Sequence, residues 1–132
     1  VGLATRNGPS CVDVFLEHAG LPDGAFSPIL TRDSGLPNKP DPAPVLRCCS
    51  DWGLEPSSVL MVGDHVDDIL CGRAAGSLTA AMLWPGAVPG EDEADRERME
   101  VLAKRDKANK ALAEAADFTL SSLEALKRLL GP

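Results

Sequence analysis

Short apolar runs alternate with longer segments of mixed polarity along most of this chain. The apolar runs predict β-strands at residues 1–5, 28–31, 59–62 and 78–83. The mixed segments predict helices, which open near Pro9, Asp41 and Val66 and close near Gly20, Gly53 and Gly76. Strands separated by helices of about ten residues are typical of βαβ units. Because such units have right-handed crossovers, we predict an α/β fold with a parallel sheet.

The alternation breaks in the region that follows the last of these strands. A Pro- and Gly-rich linker leads there into a charged, alanine-rich segment, residues 91–116, which predicts an inserted helix with only a thin apolar stripe. Two interpretations are open: a solvated helix over the sheet edge, or a helix that docks a protein partner. Residues 117–120 then predict a short edge strand, and we expect Ser121 to cap a final helix over 123–130.

Composition and charge narrow the range of partners. The length of 132 residues fits a single domain over 1–132, with the linker and inserted helix at 84–116. The formal net charge of −7 argues against nucleic acid, whose binding depends on Lys and Arg at phosphates. No apolar run approaches the length of a membrane span, so we predict no membrane partner.

The cysteines indicate the cellular compartment in which the protein is expected. The four cysteines are Cys11, Cys48, Cys49 and Cys71. Their spacing does not match a zinc site, and neither histidine completes a zinc-binding pattern. We predict buried or half-buried free thiols in a reducing compartment, and hence a cytoplasmic protein. The first residues show no signal peptide, while organelle targeting by a longer N-terminus stays open.

The most informative stretch is residues 59–68. An apolar run that predicts a buried strand ends in Gly63-Asp64, and Asp67 and Asp68 follow within one turn. Carboxylates at the carboxyl edge of a parallel sheet stand where such folds bind ligands, and a hard cation such as Mg²⁺ would offset their charge. The alternative is that Asp67 or Asp68 simply caps the next helix.

Two upstream segments supply complementary groups. Thr5 offers a hydroxyl beside the backbone N–H groups of Arg6 and Asn7, and Lys39 offers an ammonium in the segment Asn38-Lys39-Pro40. Hydrogen-bond donors, a point charge and metal ligands are what holds a phosphoryl group beside Mg²⁺. The sequence therefore predicts a site that holds a phosphoryl group beside Mg²⁺.

In this order and spacing, the motifs resemble the C-terminal half of the haloacid dehalogenase (HAD) superfamily, in its phosphoglycolate-phosphatase-like branch. The resemblance implies a HAD-like Rossmannoid three-layer sandwich. It also implies that Thr5 binds phosphate with Arg6 and Asn7, and that Lys39 bridges the phosphate and the nucleophile. By the same resemblance Asp64 binds the metal, with Asp68 as a weaker or water-mediated contributor, and Asp67 is a solvent- or dipole-facing neighbour.

One departure from the superfamily pattern matters more than the matches. Catalysis in this superfamily starts from an Asp-x-Asp motif after an N-terminal strand, and no apolar run of this chain is followed by one. We therefore expect the N-terminal, central strand and the cap to be missing, which leaves a slot between the strands at 1–5 and 59–62.

The predicted parent function is Mg²⁺-dependent hydrolysis of a small phosphomonoester through an aspartyl-phosphate, whose nucleophile is not in this chain. This segment alone is predicted to be inactive. Alternatives are a phosphosugar mutase and a non-catalytic binding or regulatory module.

Overall fold

A computed structural model describes residues 1–83 and 95–130, and in these ranges helices and parallel strands alternate. The elements in chain order are β1 (Leu3–Ala4), α1 (Pro9–His18), β2 (Ile29–Leu30), α2 (Ala43–Trp52), β3 (Leu60–Gly63), α3 (Val66–Ala75), β4 (Leu78–Met82), α4 (Asp95–Ala115), β5 (Phe118–Leu120) and α5 (Leu123–Leu130). A short 3-10 turn at Pro56–Ser58 precedes β3. The predicted α/β class is confirmed.

The helix boundaries follow from local side-chain and backbone chemistry. Asp41 accepts a hydrogen bond from the Ala43 N–H at 2.9 Å and so caps the start of α2. Helices α2 and α3 end at Gly53 and Gly76, whose φ angles of 65° and 80° suit a residue without a Cβ. One predicted cap is wrong: Ser122, not Ser121, accepts from the N–H of Ala125, at 3.2 Å.

The strands form two parallel sheets among the described residues. Strand β1 pairs with β2, and the second sheet has the order β3-β4-β5, which places β5 at an edge as predicted. Backbone hydrogen bonds of the first ladder extend from Val1 to Thr5, beyond β1 itself. No ladder joins β1 to β3 in the described ranges, which confirms the prediction that these two strands do not pair.

The core lies between the second sheet and the helices that cover it. One cluster joins Ile69 of α3, Ala81 of β4 and Leu112 of α4. Helix α3 approaches the sheet closely at Gly72, where a Cβ would come within 2.8 Å of Met61. The C-terminal end of α4 is therefore part of this fold, while the predicted linker and residues 91–94 of the predicted inserted helix lie outside the described residues.

The cysteine environments match the predicted free thiols only in part. Cys48, Cys49 and Cys71 are buried, and burial raises the pKa of each thiol above its ordinary value. Cys11 is exposed on α1. None of the four forms a disulfide. Over residues 1–83 and 95–130, no helix combines the length and the apolar character needed to cross a bilayer.

Candidate active site

Lys39 lies at the junction of the two sheets. Its loop precedes α2, and its ammonium donates a hydrogen bond to the carbonyl oxygen of Ala4, at the end of β1, over 2.9 Å. The same nitrogen lies 2.6 Å from Oδ1 of Asp68 in the first turn of α3, and the two side chains are only 11% and 9% exposed. This buried ion pair joins the carboxyl end of β1 to the start of α3.

Asp68 also caps the helix that carries it. Its Oδ2 accepts from the backbone N–H of His65 at 3.2 Å, and Nδ1 of His65 accepts from the N–H of Asp67 at 3.2 Å. Together these bonds form a capping box at the start of α3. The N-cap is His65, so the alternative that Asp67 or Asp68 simply caps this helix holds only in part: Asp68 is the N3 partner of the capping box and also pairs with Lys39.

Gly63 has to be glycine for the Asp68 carboxylate to take this position. A Cβ at residue 63 would overlap the Cβ and the carboxylate of Asp68. The Gly-Asp step that ends β3 therefore has a steric cause: the strand end and the first turn of α3 approach more closely than any side chain permits.

Thr5 directly follows β1, and its hydroxyl oxygen accepts a hydrogen bond from the N–H of Asn7 at 3.1 Å. That bond uses an acceptor position of the oxygen, so the hydroxyl proton does not take part in it. Thr31 follows β2 in the same way, with its oxygen accepting from the N–H of Asp33 at 3.3 Å. Thr5 and Thr31 therefore stand side by side at the carboxyl ends of two paired strands.

A pocket opens at this edge of the first sheet. Its polar lining comes from Thr5, Arg6, Thr31, Asn38 and Lys39, and its apolar lining from Ala4, Leu30, Leu36, Pro37 and Pro44. Three of the predicted site residues, namely Thr5, Arg6 and Lys39, thus line one pocket. The backbone N–H of Asn7 donates to the Thr5 hydroxyl oxygen at this pocket. Thr31 was not among the predicted site residues, although its position after an apolar run repeats that of Thr5.

Arg6 forms an ion pair that the sequence did not predict. Its Nη1 lies 3.2 Å from Oδ2 of Asp67, in the first turn of α3, with side chains 51% and 24% exposed. Asp67 was predicted as a neighbour facing the solvent or the helix dipole. It lies at the helix start as expected, but it is half-buried and faces a cation that lies 61 residues away in sequence.

Asp64 follows β3 directly and is exposed. With Asp68 it offers carboxylate oxygens, the donor type that Mg²⁺ prefers, and Mg²⁺ commonly uses only one or two carboxylates besides water and substrate oxygens. No group of three or more metal-binding side chains occurs among the described residues. The oxygen donors of the two carboxylates therefore fit the chemistry of Mg²⁺, and both Asp68 oxygens also have protein partners.

Comparison with known protein families shows to which family this chain belongs. The family described as haloacid dehalogenase-like hydrolase matches residues 1–82, which is more than half of the chain. The chain belongs to this family. The matched range includes Thr5, Lys39, Asp64 and Asp68, the residues on which the resemblance was based.

Individual members of the family agree with this assignment. A haloacid dehalogenase-like hydrolase domain-containing protein of Arabidopsis thaliana is 43% identical over 92 residues, 69% of this chain and 36% of that protein. Pyrophosphatase PpaX of Bacillus pumilus is 34% identical over 105 residues, 80% of this chain and 47% of that protein. The chain spans less than half the length of these relatives.

Solved structures confirm the HAD-like fold. A haloacid dehalogenase-like protein of unknown function from Agrobacterium tumefaciens superposes with a TM-score of 0.69 at 25% identity. The match covers 98% of this chain and 52% of that one. The two separate sheets described above therefore correspond to part of a known HAD-like architecture.

Proposed function

We propose that this chain supplies the phosphate- and Mg²⁺-binding part of a HAD-type phosphomonoester hydrolase that acts on a small phosphorylated metabolite. The observation that carries the proposal is the buried Lys39 ammonium, which is fixed between Ala4 and Asp68 at the pocket lined by Thr5. The name of the Bacillus relative, a pyrophosphatase, agrees with phosphate chemistry.

Each residue has a proposed part in binding the phosphoryl group. Thr5 would donate its hydroxyl proton to a phosphoryl oxygen, while the N–H groups of Arg6 and Asn7 surround the same turn. Lys39 would stabilise the negative charge that develops on the phosphoryl oxygens in the transition state. Arg6 provides the second cation of the pocket.

Asp64 would hold Mg²⁺, with Asp68 behind it. When bound, Mg²⁺ polarises phosphoryl oxygens as a Lewis acid. The chain's own contribution is to hold the Asp68 carboxylate 2.6 Å from the Lys39 ammonium, so that the positive charge of Lys39 offsets this carboxylate when a dianionic substrate binds.

The covalent step needs a nucleophile that these residues do not supply. We propose that an aspartate carboxylate attacks phosphorus, that the bond from phosphorus to the ester oxygen breaks, and that water then hydrolyses the aspartyl-phosphate. Among the described residues β1 pairs only with β2 and β3 only with β4, which leaves one edge of each strand open and favours a further strand as the carrier of this aspartate. On its own, the 132-residue chain is expected to have no hydrolase activity.

The test is hydrolysis of p-nitrophenyl phosphate by the full-length natural protein with Mg²⁺ and with EDTA. Asp64→Asn is the informative variant, because Asp64 is exposed and its replacement does not disturb the core. We expect it to raise the Mg²⁺ concentration needed for half-maximal rate and to lower kcat by about a hundredfold or more. Arg47→Gln, in a remote ion pair with Asp51 on α2, is the control and should retain the natural rate.

Two results would contradict the proposal. A natural protein without Mg²⁺-dependent turnover would be a non-catalytic member of the family. Turnover by the 132-residue chain alone that disappears in Asp64→Asn would show that a nucleophile lies among these residues.

A further inference from the structure

Thr31 follows β2 in the way that Thr5 follows β1. The parallel ladder pairs Ala4 with Leu30, and the Thr5 N–H continues it by donating to the Leu30 carbonyl oxygen at 2.9 Å. Thr5 and Thr31 are therefore the next pair in this register. Side chains of such a pair point to the same face of the sheet, and neighbouring strands lie about 4.8 Å apart.

The Thr31 hydroxyl keeps a proton to donate. Its oxygen accepts a hydrogen bond from the Asp33 N–H at 3.3 Å. The Thr5 oxygen accepts from the Asn7 N–H in the same manner, at 3.1 Å. A hydroxyl has one donor and two acceptor positions, so neither bond uses the proton. The two threonines therefore bring a pair of hydroxyl donors to the pocket that both of them line.

The turn that carries Thr31 is held in place by backbone and side-chain hydrogen bonds. The Ser34 hydroxyl accepts from the Thr31 N–H at 2.9 Å, and the Ser34 N–H donates to the Thr31 carbonyl oxygen at 3.1 Å. A further bond, from the Arg32 N–H to the Asn7 carbonyl oxygen at 3.2 Å, joins this turn to the turn after β1. The two hydroxyls are thus positioned relative to each other before a ligand binds, which lowers the entropic cost of binding.

The loop that begins at Thr31 ends at Lys39, so both of its ends contribute a donor to the pocket. The Lys39 ammonium lies 2.9 Å from the carbonyl oxygen of Ala4, the residue before Thr5. One ammonium and two hydroxyls therefore lie around the same small volume. Two hydroxyls at strand spacing can donate to different oxygens of one phosphoryl group over ordinary distances of about 2.7 Å.

We infer that Thr31 is a second phosphate-binding hydroxyl, which donates to the phosphoryl group that is transferred. Thr5 and Thr31 bind different oxygens of this group, while Lys39 offsets its negative charge. The inference rests on the proposed function, because it adds a residue to the same reaction. The competing role for Thr31 is a structural one, in which its hydroxyl only closes the turn after β2.

The experiment uses the full-length natural protein with Mg²⁺ and two probes. Hydrolysis of p-nitrophenyl phosphate gives kcat and KM, and competitive inhibition by inorganic phosphate gives an inhibition constant, Ki. Inorganic phosphate has no leaving group, so its Ki depends only on contacts with the phosphoryl group. Thr31→Val removes the hydroxyl and keeps the branched shape, whereas Thr31→Ser keeps the hydroxyl. Ser34→Ala is the matched control, since it removes a hydrogen bond of the same turn and leaves the Thr31 hydroxyl in place.

We expect Thr31→Val to raise the Ki of inorganic phosphate about tenfold, because a hydrogen bond to a charged acceptor is lost. The kcat/KM for p-nitrophenyl phosphate should fall by at least the same factor. Thr31→Ser should stay within about threefold of the natural protein in both quantities, since its hydroxyl can still donate. Ser34→Ala should leave the Ki unchanged.

Three results would contradict the inference and leave the phosphatase proposal standing. An unchanged Ki in Thr31→Val, with or without a loss of kcat/KM, would show that Thr31 does not bind the phosphoryl group. An equal rise of Ki in Thr31→Val and Ser34→Ala would show that the turn matters and the hydroxyl does not. A loss in Thr31→Ser as large as that in Thr31→Val would show the same for the side-chain shape.

Failure of the proposed function gives a different result. A natural protein that hydrolyses no phosphomonoester and binds no inorganic phosphate would contradict the proposed function and this inference together. Urea unfolding of each variant shows that the compared proteins are folded. If Thr31→Val does not fold, Thr31→Ala replaces it, with the same rise of Ki expected and an unchanged Ki again contradicting the inference.

Discussion

Replacement of Asp68 by asparagine would measure what the buried ion pair contributes to the fold. Asparagine keeps an oxygen that can accept the hydrogen bond from the His65 N–H, so the substitution removes the charge and spares the helix cap. Lys39 then retains the Ala4 carbonyl but loses the carboxylate that lies 2.6 Å from its ammonium, with its side chain 11% exposed. Loss of one partner of a buried ion pair costs about 3–5 kcal/mol, and the nucleophile carboxylate proposed beside Lys39 in the full-length protein would offset part of this cost. We therefore expect a loss of about 1.5–3 kcal/mol.

The assay is urea unfolding of the full-length natural protein followed by circular dichroism, with EDTA present so that metal binding does not contribute. Asp51→Asn is the control, since it removes the partner of Arg47 at 2.9 Å where the side chains are 51% and 33% exposed. That loss should be about 0–1 kcal/mol. Equal losses for the two variants would show that the Lys39 ammonium stays hydrated, and the argument from burial would be refuted.

Two further measurements test groups away from the pocket. The Thr79 hydroxyl, at 2.7 Å, and the Thr79 N–H hold the pKa of Asp117 below its ordinary 3.8, with Arg73 adding a smaller effect. The Asp117 carboxylate thus stabilises the fold above pH 3.8 and loses this effect as the pH falls through the lowered pKa. The difference in unfolding free energy between the natural protein and Asp117→Asn should therefore shrink on acidification. A difference that does not change with pH would contradict this prediction. A thiol reagent should modify exposed Cys11 rapidly in the native protein, and Cys11→Ser should remove one rapid equivalent; rapid reaction of the three buried thiols would contradict their burial.

Much of the fold could be predicted because its signals are local. The apolar runs that became β3 and β4 are short and continuous, as expected for strands covered on both faces. Helix α3 has the predicted bounds, from Val66 to Ala75, because an acidic first turn and a glycine after the last turn mark its ends. Local chemistry alone could not choose between Ser121 and Ser122 as the final cap, since serine is a favoured cap residue and both precede the helix.

The parts of the site that sequence reasoning missed depend on contacts between distant segments. Arg6 and Asp67 are each unremarkable in their own segment, and only the packing of the first sheet against α3 brings them to 3.2 Å. Thr31 was missed for a different reason. Its position after β2 repeats that of Thr5 after β1, and this signal becomes informative only when β1 and β2 are known to be paired neighbours.

Asp68 shows that one residue of an acidic cluster can order a helix start and also position the cation of a pocket. Its Oδ2 orders the start of α3 and its Oδ1 fixes Lys39, so one carboxylate positions both the helix start and the cation of the pocket. Asp64 is exposed at the end of β3, where ligands of parallel sheets bind. Under the proposed function, Asp64 would hold Mg²⁺ and Asp68 would act behind it, because the burial of Asp68 and its two hydrogen-bonded partners leave it little freedom to move towards a metal.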